Sequence, residues 1–288
     1  MTITTPPGTH HDIALPQGTI RYIDQGTGPI LVFIAGLLAN SNVWSRLIPL
    51  LTAQFRCIAL DLPLGAHAIS MPEIADLTPP GVATIIADFL DALNLHDVTL
   101  IGSDTGGALC QIVIAHRWER ITRLILASCD AFEEFFPPRA SFFQYGARIF
   151  GIGFANFLAW ALRSPRFRRS FLHGISHRGL SEDELSAAYQ PFIQSRDIRR
   201  DMTCFLRAVS RHYTLEAART FPGFQYPVLL VWGKDDIFFS EQLATRLQQA
   251  FPHAVLKFVP DSRAFVQLDQ PELFAQYITE CVLAATTN

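Results

Sequence analysis

Several features are scarce in the 288-residue sequence, and each scarcity narrows the possible functions. The five cysteines include no CxxC pair, which argues against a zinc site or a disulfide framework and favours free thiols in a reducing cytoplasm. No apolar run reaches the ~18 residues that a membrane-spanning helix needs. Residues 1–12 lack a charged and then apolar leader. We therefore expect a cytoplasmic protein without a structural metal.

Charge and glycine-rich motifs exclude further classes of ligand. The net charge of −3 gives no electrostatic case for binding nucleic acid or a membrane. No GxGxxG follows the first strand pattern and no phosphate loop is present, so we expect no cofactor. The sequence leaves the oligomeric state open, a homodimer included.

The chain does have the apolar content of a large core, because 49% of its residues are hydrophobic. Short apolar runs alternate with helical spacing in residues 1–130, and this alternation resumes in residues 222–288. Such alternation predicts an α/β fold with a mostly parallel, doubly wound sheet. Residues 131–221 show no strand pattern, and 132–171 alone contain ten phenylalanines. We predict that 131–221 form a helical cap.

The sharpest motif is Gly102-Ser103-Asp104-Thr105-Gly106, at a predicted strand-to-helix turn. This is the G-x-nucleophile-x-G pattern, whose tight turn leaves no room for Cβ atoms at its two glycines. In this register Asp104 is the nucleophile, and Ser103 is disfavoured. A carboxylate is ionised at pH 7, and it attacks sp3 carbon, as in an epoxide or alkyl halide. The backbone N–H of Thr105 is placed to stabilise an oxyanion.

On this motif the chain resembles the α/β-hydrolase superfamily, in particular its haloalkane dehalogenase and epoxide hydrolase branches. The resemblance runs from Gly18 to about Ala284 and is weakest in the cap. Residues 102–106, here called the elbow, carry part of the resemblance. The other segments that carry it are LVFIAGLLANSNVW, LDLPLGAH, PVLLVWGKDD and VPDSRAFVQLDQPELF. It implies the α/β-hydrolase fold and a hydrophobic small-molecule substrate.

The resemblance also implies the groups around the nucleophile. After Gly36, the second oxyanion N–H would come from Leu37 or Leu38, although the usual histidine before this glycine is Ala35.

The acid of the triad falls on Asp236, with Asp235 as the less favoured alternative. Asp130 occupies about the place where some dehalogenases have their acid.

The clearest departure from the family is the missing base. Ala264 stands where the family has the histidine that activates water to cleave the covalent ester. Arg263 cannot replace that histidine because guanidinium stays protonated. His67 follows a strand end and is our candidate for a replacement. The cap histidines are weaker candidates: His173, His177 and His212.

The elbow and the cap depart from the family as well. Thr105 replaces the tryptophan that dehalogenases and epoxide hydrolases usually carry after the nucleophile, which weakens the dehalogenase interpretation. Epoxide hydrolases polarise the ring oxygen with two cap tyrosines. The candidate substrate-binding residues are therefore Tyr145, Tyr189, Tyr213 and Trp160.

Three functions stay open on the sequence alone. The first is an epoxide-hydrolase-like enzyme with an aspartate nucleophile and a base from elsewhere. The second is a non-hydrolytic cyclase, dehydratase or isomerase of a hydrophobic metabolite that uses Asp104 as acid or base. The third is a catalytically silent binding protein. A serine esterase acting through Ser103 is disfavoured by the register of the elbow.

Overall fold

The predicted strands assemble into one eight-stranded sheet in the computed structural model, which describes residues 10–284. The strand order is β1-β2-β4-β3-β5-β6-β7-β8. Only β1 and β2 pair antiparallel to their neighbours, and the remaining pairs are parallel. The predicted α/β class with a mostly parallel sheet is thus confirmed. The strands are β1 His10–Leu15, β2 Gly18–Gln25, β3 Ile30–Ile34, β4 Arg56–Asp61, β5 Val98–Asp104, β6 Ile121–Cys129, β7 Val228–Gly233 and β8 Ala254–Val259.

Helices cover both faces of this sheet, as central strands that are buried along their whole length require. Helix α2 begins as its sequence predicts, because the Thr78 hydroxyl accepts a hydrogen bond from the Gly81 N–H beside two first-turn prolines. The helices are α1 Ile48–Leu51, α2 Pro79–Ala92, α3 Thr105–His116, α4 Ser141–Phe150, α5 Ile152–Ala161, α6 Pro165–Ile175, α7 Glu182–Gln194, α8 Arg196–Ala208, α9 Arg211–Ala218, α10 Glu241–Ala250, α11 Val266–Asp269 and α12 Pro271–Ala284.

Six of these helices, α4 to α9, lie between β6 and β7, in the segment that the sequence assigns to the cap. This segment contains no strand, only an isolated bridge between Ala131 and Glu134. Helices α4 and α5 form a hairpin that turns at Gly151, whose φ of +54° favours glycine. Both helices of the hairpin pack against α8.

Residues 1–9 and 285–288 lie outside the described part, and with them most of the segment in which no leader was expected. Within residues 10–284, no helix is long and apolar enough to cross a membrane.

The topology brings the candidate residues together. Strands β3, β5, β6 and β7 are parallel neighbours, so their carboxyl ends reach the same edge of the sheet. Leu37, Asp104, Asp130 and Asp236 all follow these ends. Ligands of open α/β sheets bind at this edge.

Candidate active site

Asp104 occupies the strained turn that the elbow motif predicts. It ends β5 with φ 56° and ψ −134°, a sparsely populated conformation that costs about 1–3 kcal/mol. A Cβ on Gly106 would lie 2.3 Å from the Ile34 carbonyl oxygen, and one on Gly102 would lie 2.7 Å from Gly107 Cα. Both elbow glycines are therefore required by close backbone approach, and Asp104 is presented at the sheet edge.

Both expected oxyanion donors contact the carboxylate of Asp104 itself. The backbone N–H groups of Leu37 and Thr105 donate hydrogen bonds to it. The Leu38 N–H instead donates to the Leu64 carbonyl oxygen at 2.9 Å, so the structure places Leu37 as the donor. Gly36 permits this approach, because a Cβ there would lie 2.1 Å from Asp104 Oδ2.

The protonation of Asp104 is set by opposing effects. Burial, together with the charge of Asp236, raises its pKa to about 7 against the lowering effect of the two N–H donors. The acid form of this carboxyl group therefore persists to much higher pH than that of an ordinary aspartate. It can both accept and donate a proton near neutral pH.

Asp236 lies at the same edge and is held by backbone. Its Oδ1 accepts hydrogen bonds from the N–H groups of Phe238 at 2.8 Å and Phe239 at 3.1 Å. Its Oδ2 is buried. Burial raises the pKa of Asp236 to about 6, although these two N–H donors and the nearby Ser128 hydroxyl lower it by hydrogen bonding. Asp235, by contrast, is exposed and pairs with His177 at 2.9 Å, away from Asp104.

Asp130 is a third carboxyl at this site and is fully buried. Its Oδ2 accepts a hydrogen bond from the Thr105 hydroxyl at 3.1 Å, and its Oδ1 has no partner in the described part of the chain. Burial, reinforced by the charge of Asp104, raises its pKa well above the ordinary value. Ser103 lies buried behind the elbow, with its hydroxyl 3.3 Å from the Gln267 side-chain nitrogen.

A cavity of about 270 Å³ lies above Asp104. Its walls are mostly aromatic and aliphatic, and a few polar groups lie among them. Ala264, which is 1% exposed, lines it at the position where the resemblance implies histidine. None of the described lining residues is a histidine. They are Leu37, Asp104, Phe136, Pro137, Arg139, Ala140, Phe142, Phe143, Ser170, Phe171, Gly174, Ile175, Phe238, Phe239, Ala264 and Phe265.

His67 is not among these lining residues, contrary to the expectation that it reaches the pocket. Its Nε2 lies 3.2 Å from Asp201 Oδ2, and its Nδ1 accepts a hydrogen bond from the Gly65 N–H at 3.3 Å. Both ring nitrogens are thus engaged in a buried contact between the loop after β4 and α8. This contact was not predicted, because the sequence gives no signal that pairs His67 with Asp201, 134 residues away.

The expected substrate-binding residues do not line the cavity either. Tyr145 and Trp160 are 57% and 65% exposed on the outside of the α4–α5 hairpin. Tyr189 is buried inside the cap, and Tyr213 is half-buried on α9. Phenylalanines take their place, because the inward faces of α4 and α6 carry Phe142, Phe143 and Phe171. The phenylalanine-rich run was the sequence signal for this wall.

Among residues 10–284, no group of three or more histidine, cysteine, aspartate or glutamate side chains is placed to hold a metal ion. The cap histidines His173, His177 and His212 are exposed and do not line the cavity.

Comparisons with known proteins agree with this architecture. A family profile described as the alpha/beta hydrolase fold matches residues 29–271. Haloalkane dehalogenase 2 of Mycobacterium tuberculosis is 27% identical over 92% of this chain and 91% of its own length. The cis-3-alkyl-4-alkyloxetan-2-one decarboxylase of Shewanella oneidensis is 24% identical over 92% of this chain and 86% of its own. The crystal structure of the haloalkane dehalogenase DbeA from Bradyrhizobium elkani superposes with a TM-score of 0.81 and 22% identity, covering 97% and 99% of the two chains.

Proposed function

Since the chain belongs to the α/β-hydrolase fold family and is related to haloalkane dehalogenases, we propose that it converts a hydrophobic small molecule by proton transfer at Asp104, without consuming water. The observation that carries this proposal is the cavity lining, in which a carboxyl group faces aromatic walls and no histidine is present. The reaction class is an isomerisation, dehydration or cyclisation.

The size and chemistry of the cavity support a hydrophobic substrate. A volume of about 270 Å³ suits a small molecule. Phe142, Phe143 and Phe171 from the cap face Phe238 and Phe265 from the core. An apolar body would be desolvated between them, and the few polar groups would orient it.

The missing base argues against hydrolysis as the main reaction. In hydrolytic relatives with a carboxylate nucleophile, water must lose a proton before it can cleave the covalent ester. Ala264 has no proton acceptor, and both nitrogens of His67 are engaged elsewhere. An ester formed on Asp104 would therefore be slow to break down, and turnover through it would be inefficient.

Proton transfer, in contrast, suits the state of Asp104. A pKa of about 7 lies close to neutral pH, so both the acid and the base form of Asp104 are available there. General acid–base catalysis is most efficient under this condition. The N–H groups of Leu37 and Thr105 stabilise the carboxylate form after the proton has left. The oxetan-2-one decarboxylase is a relative whose named reaction does not have water as a reactant.

A second candidate is hydrolysis through a covalent ester on Asp104. The strained elbow at φ 56° and the two N–H donors favour it, because this geometry exposes a nucleophile and stabilises the ester carbonyl oxygen. The related haloalkane dehalogenase 2 carries the name of such a reaction class. Under this candidate, epoxides or alkyl halides alkylate the enzyme and are released slowly.

The deciding experiment follows a panel of alkyl epoxides, alkyl halides and dialkyl oxetan-2-ones in water enriched in 18O, with the intact protein mass recorded in parallel. Our proposal expects a product without 18O and no mass adduct, and loss of turnover in Asp104→Asn. The matched control is Asp235→Asn, because Asp235 is exposed and lies away from Asp104. This variant should keep activity.

Product containing 18O, or a stable adduct absent from Asp104→Asn, would instead establish the hydrolytic candidate. Tight binding without conversion, equal in both variants, would mean that the protein is a silent binder and would refute both catalytic proposals.

A further inference from the structure

The α4–α5 hairpin exposes an unusual amount of apolar surface. Five large side chains on it are between 57% and 71% exposed: Tyr145, Ile149, Phe150, Phe157 and Trp160, here called the hairpin face. Tyr145 and Ile149 are four residues apart on α4, and Phe157 and Trp160 are three apart on α5, which places each pair on one side of its helix. Phe150 follows Ile149 at the end of α4. Single exposed apolar residues are ordinary, but a cluster of this kind marks a binding surface.

Arginines outnumber acids around the hairpin face, and two of them, Arg168 and Arg169, pair with Glu182. Between Glu134 and Glu182 the sequence contains seven arginines and no aspartate or glutamate. Arg163 and Arg166 are exposed and have no ion pair with a described residue. Burial lowers the pKa of Arg199 on the neighbouring α8, and the nearby charges of Arg163 and Arg196 lower it further. This region of the surface is therefore apolar and positively charged together.

We propose that the hairpin face docks on the surface of an anionic lipid bilayer. Aromatic side chains such as Trp160 and Tyr145 suit the boundary between lipid headgroups and acyl chains. The surrounding arginines would contact the anionic headgroups, each contributing to attraction near the surface. No helix within the described residues is able to cross a bilayer, so the protein would rest on the surface.

The charge pattern favours lipid over a second copy of the chain. If two hairpin faces met across a two-fold axis, their apolar centres would match, but each copy would bring the unpaired Arg163 and Arg166 toward those of the other. An anionic bilayer satisfies the apolar and the basic groups at once. The net charge of −3 gave no reason to expect membrane affinity. That value is the sum of a basic cap and a more acidic remainder, so it does not describe the charge of the cap.

The hairpin face is also connected to the cavity above Asp104. Phe142 lines that cavity and is 51% exposed on the same hairpin. Its ring stacks on Phe143 at 4.2 Å, and the Phe143 ring lies 5.9 Å from that of Phe171 deeper in the wall. A hydrophobic substrate dissolved in the bilayer would have an apolar path to the cavity. The docking proposal itself does not depend on the reaction at Asp104.

The test is flotation of the full chain with vesicles of phosphatidylcholine and phosphatidylglycerol at a 7:3 ratio, with phosphatidylcholine vesicles as the comparison. We expect binding to the anionic vesicles that weakens at 0.5 M salt. The double variant Phe150→Ser/Trp160→Ser should reduce the partition coefficient about a hundredfold, about tenfold for each side chain. Ile74→Ser is the matched control, because Ile74 is 97% exposed on the core.

A charge variant separates the two contributions. Arg163→Glu/Arg166→Glu should lower binding to anionic vesicles at least tenfold. Lys257→Glu, an exposed residue of β8, should have little effect. Circular dichroism and the thermal midpoint confirm that each variant is folded.

Two results would overturn the proposal. One is vesicle binding that is absent, or unchanged in Phe150→Ser/Trp160→Ser. The other is a wild-type protein that does not bind vesicles but dimerises with increasing concentration, when Phe150→Ser/Trp160→Ser abolishes that dimerisation. This result would assign the hairpin face to contact with a second copy of the chain.

Discussion

Asp104→Asn should stabilise the protein at pH 8 and have little effect at pH 4.5. The folded pKa of Asp104 is about 7, well above its ordinary value of 3.8, chiefly because of burial. Between these two values the folded chain binds the Asp104 proton more tightly than the unfolded chain does. Wild-type stability is therefore fully present below about pH 4 and decreases as the pH rises through 7.

The size of the effect follows from the shift. Each pKa unit corresponds to 1.36 kcal/mol, so ionising Asp104 in the folded state costs at most about 4 kcal/mol at pH 8. Asparagine has nearly the same shape, remains neutral and tolerates the positive φ of this position. The variant avoids the cost while keeping an acceptor oxygen for one of the two N–H donors.

Urea unfolding at pH 4.5 and pH 8 measures the difference directly. At pH 8 we expect an increase in the free energy of unfolding of about 2–4 kcal/mol with unchanged slope, and a rise in the thermal midpoint of several degrees. Asp235→Asn, at an exposed neighbouring position, should show no such pH-dependent gain. A gain of equal size at both pH values, or a loss of stability at pH 8, would refute the reasoning.

Three further predictions concern single residues. Asp201→Ala should lower the free energy of unfolding by about 3–5 kcal/mol in urea titrations, because it leaves the buried partners of this carboxylate unpaired. Gly106→Ala should cost about 3 kcal/mol, since its Cβ meets a backbone oxygen at 2.3 Å, whereas Gly153→Ala, with nothing within 4 Å, should be neutral or stabilising in thermal unfolding. Ala264→His should raise epoxide hydrolysis about a hundredfold in product assays, because it supplies the missing base beside the buried Oδ2 of Asp236.

The elements that the sequence predicts well are those with local signals. The elbow around Asp104 was predictable because its glycines are dictated by backbone contacts within a few residues along the chain or one strand away. The strands β3 to β7 were predictable because a buried parallel strand is apolar along its whole length. The assignment of the histidine position to Ala264 used only the neighbouring sequence and stays a prediction, although Ala264 does line the cavity.

The wall of the cavity was not predictable in the same way. Tyr145, Tyr189 and Tyr213 were chosen for their chemistry, but which side of a cap helix faces the core depends on how six helices pack on one another. The pairing of His67 with Asp201 joins positions far apart in sequence, and neither residue has a local motif.

The three carboxyl groups at the sheet edge have a thermodynamic consequence for binding. Ionised Asp104 repels the charges of Asp130 and Asp236, and the pKa values of Asp104 and Asp236 are about 7 and 6. An apolar ligand that displaces water from the cavity would raise these values further, so its binding would be accompanied by proton uptake near neutral pH. The heat of binding would then change with the ionisation enthalpy of the buffer, and affinity would decrease as the pH rises from 6 to 8. Calorimetry of ligand binding in two buffers would thus measure how many protons the carboxyl groups around Asp104 take up when the cavity is filled.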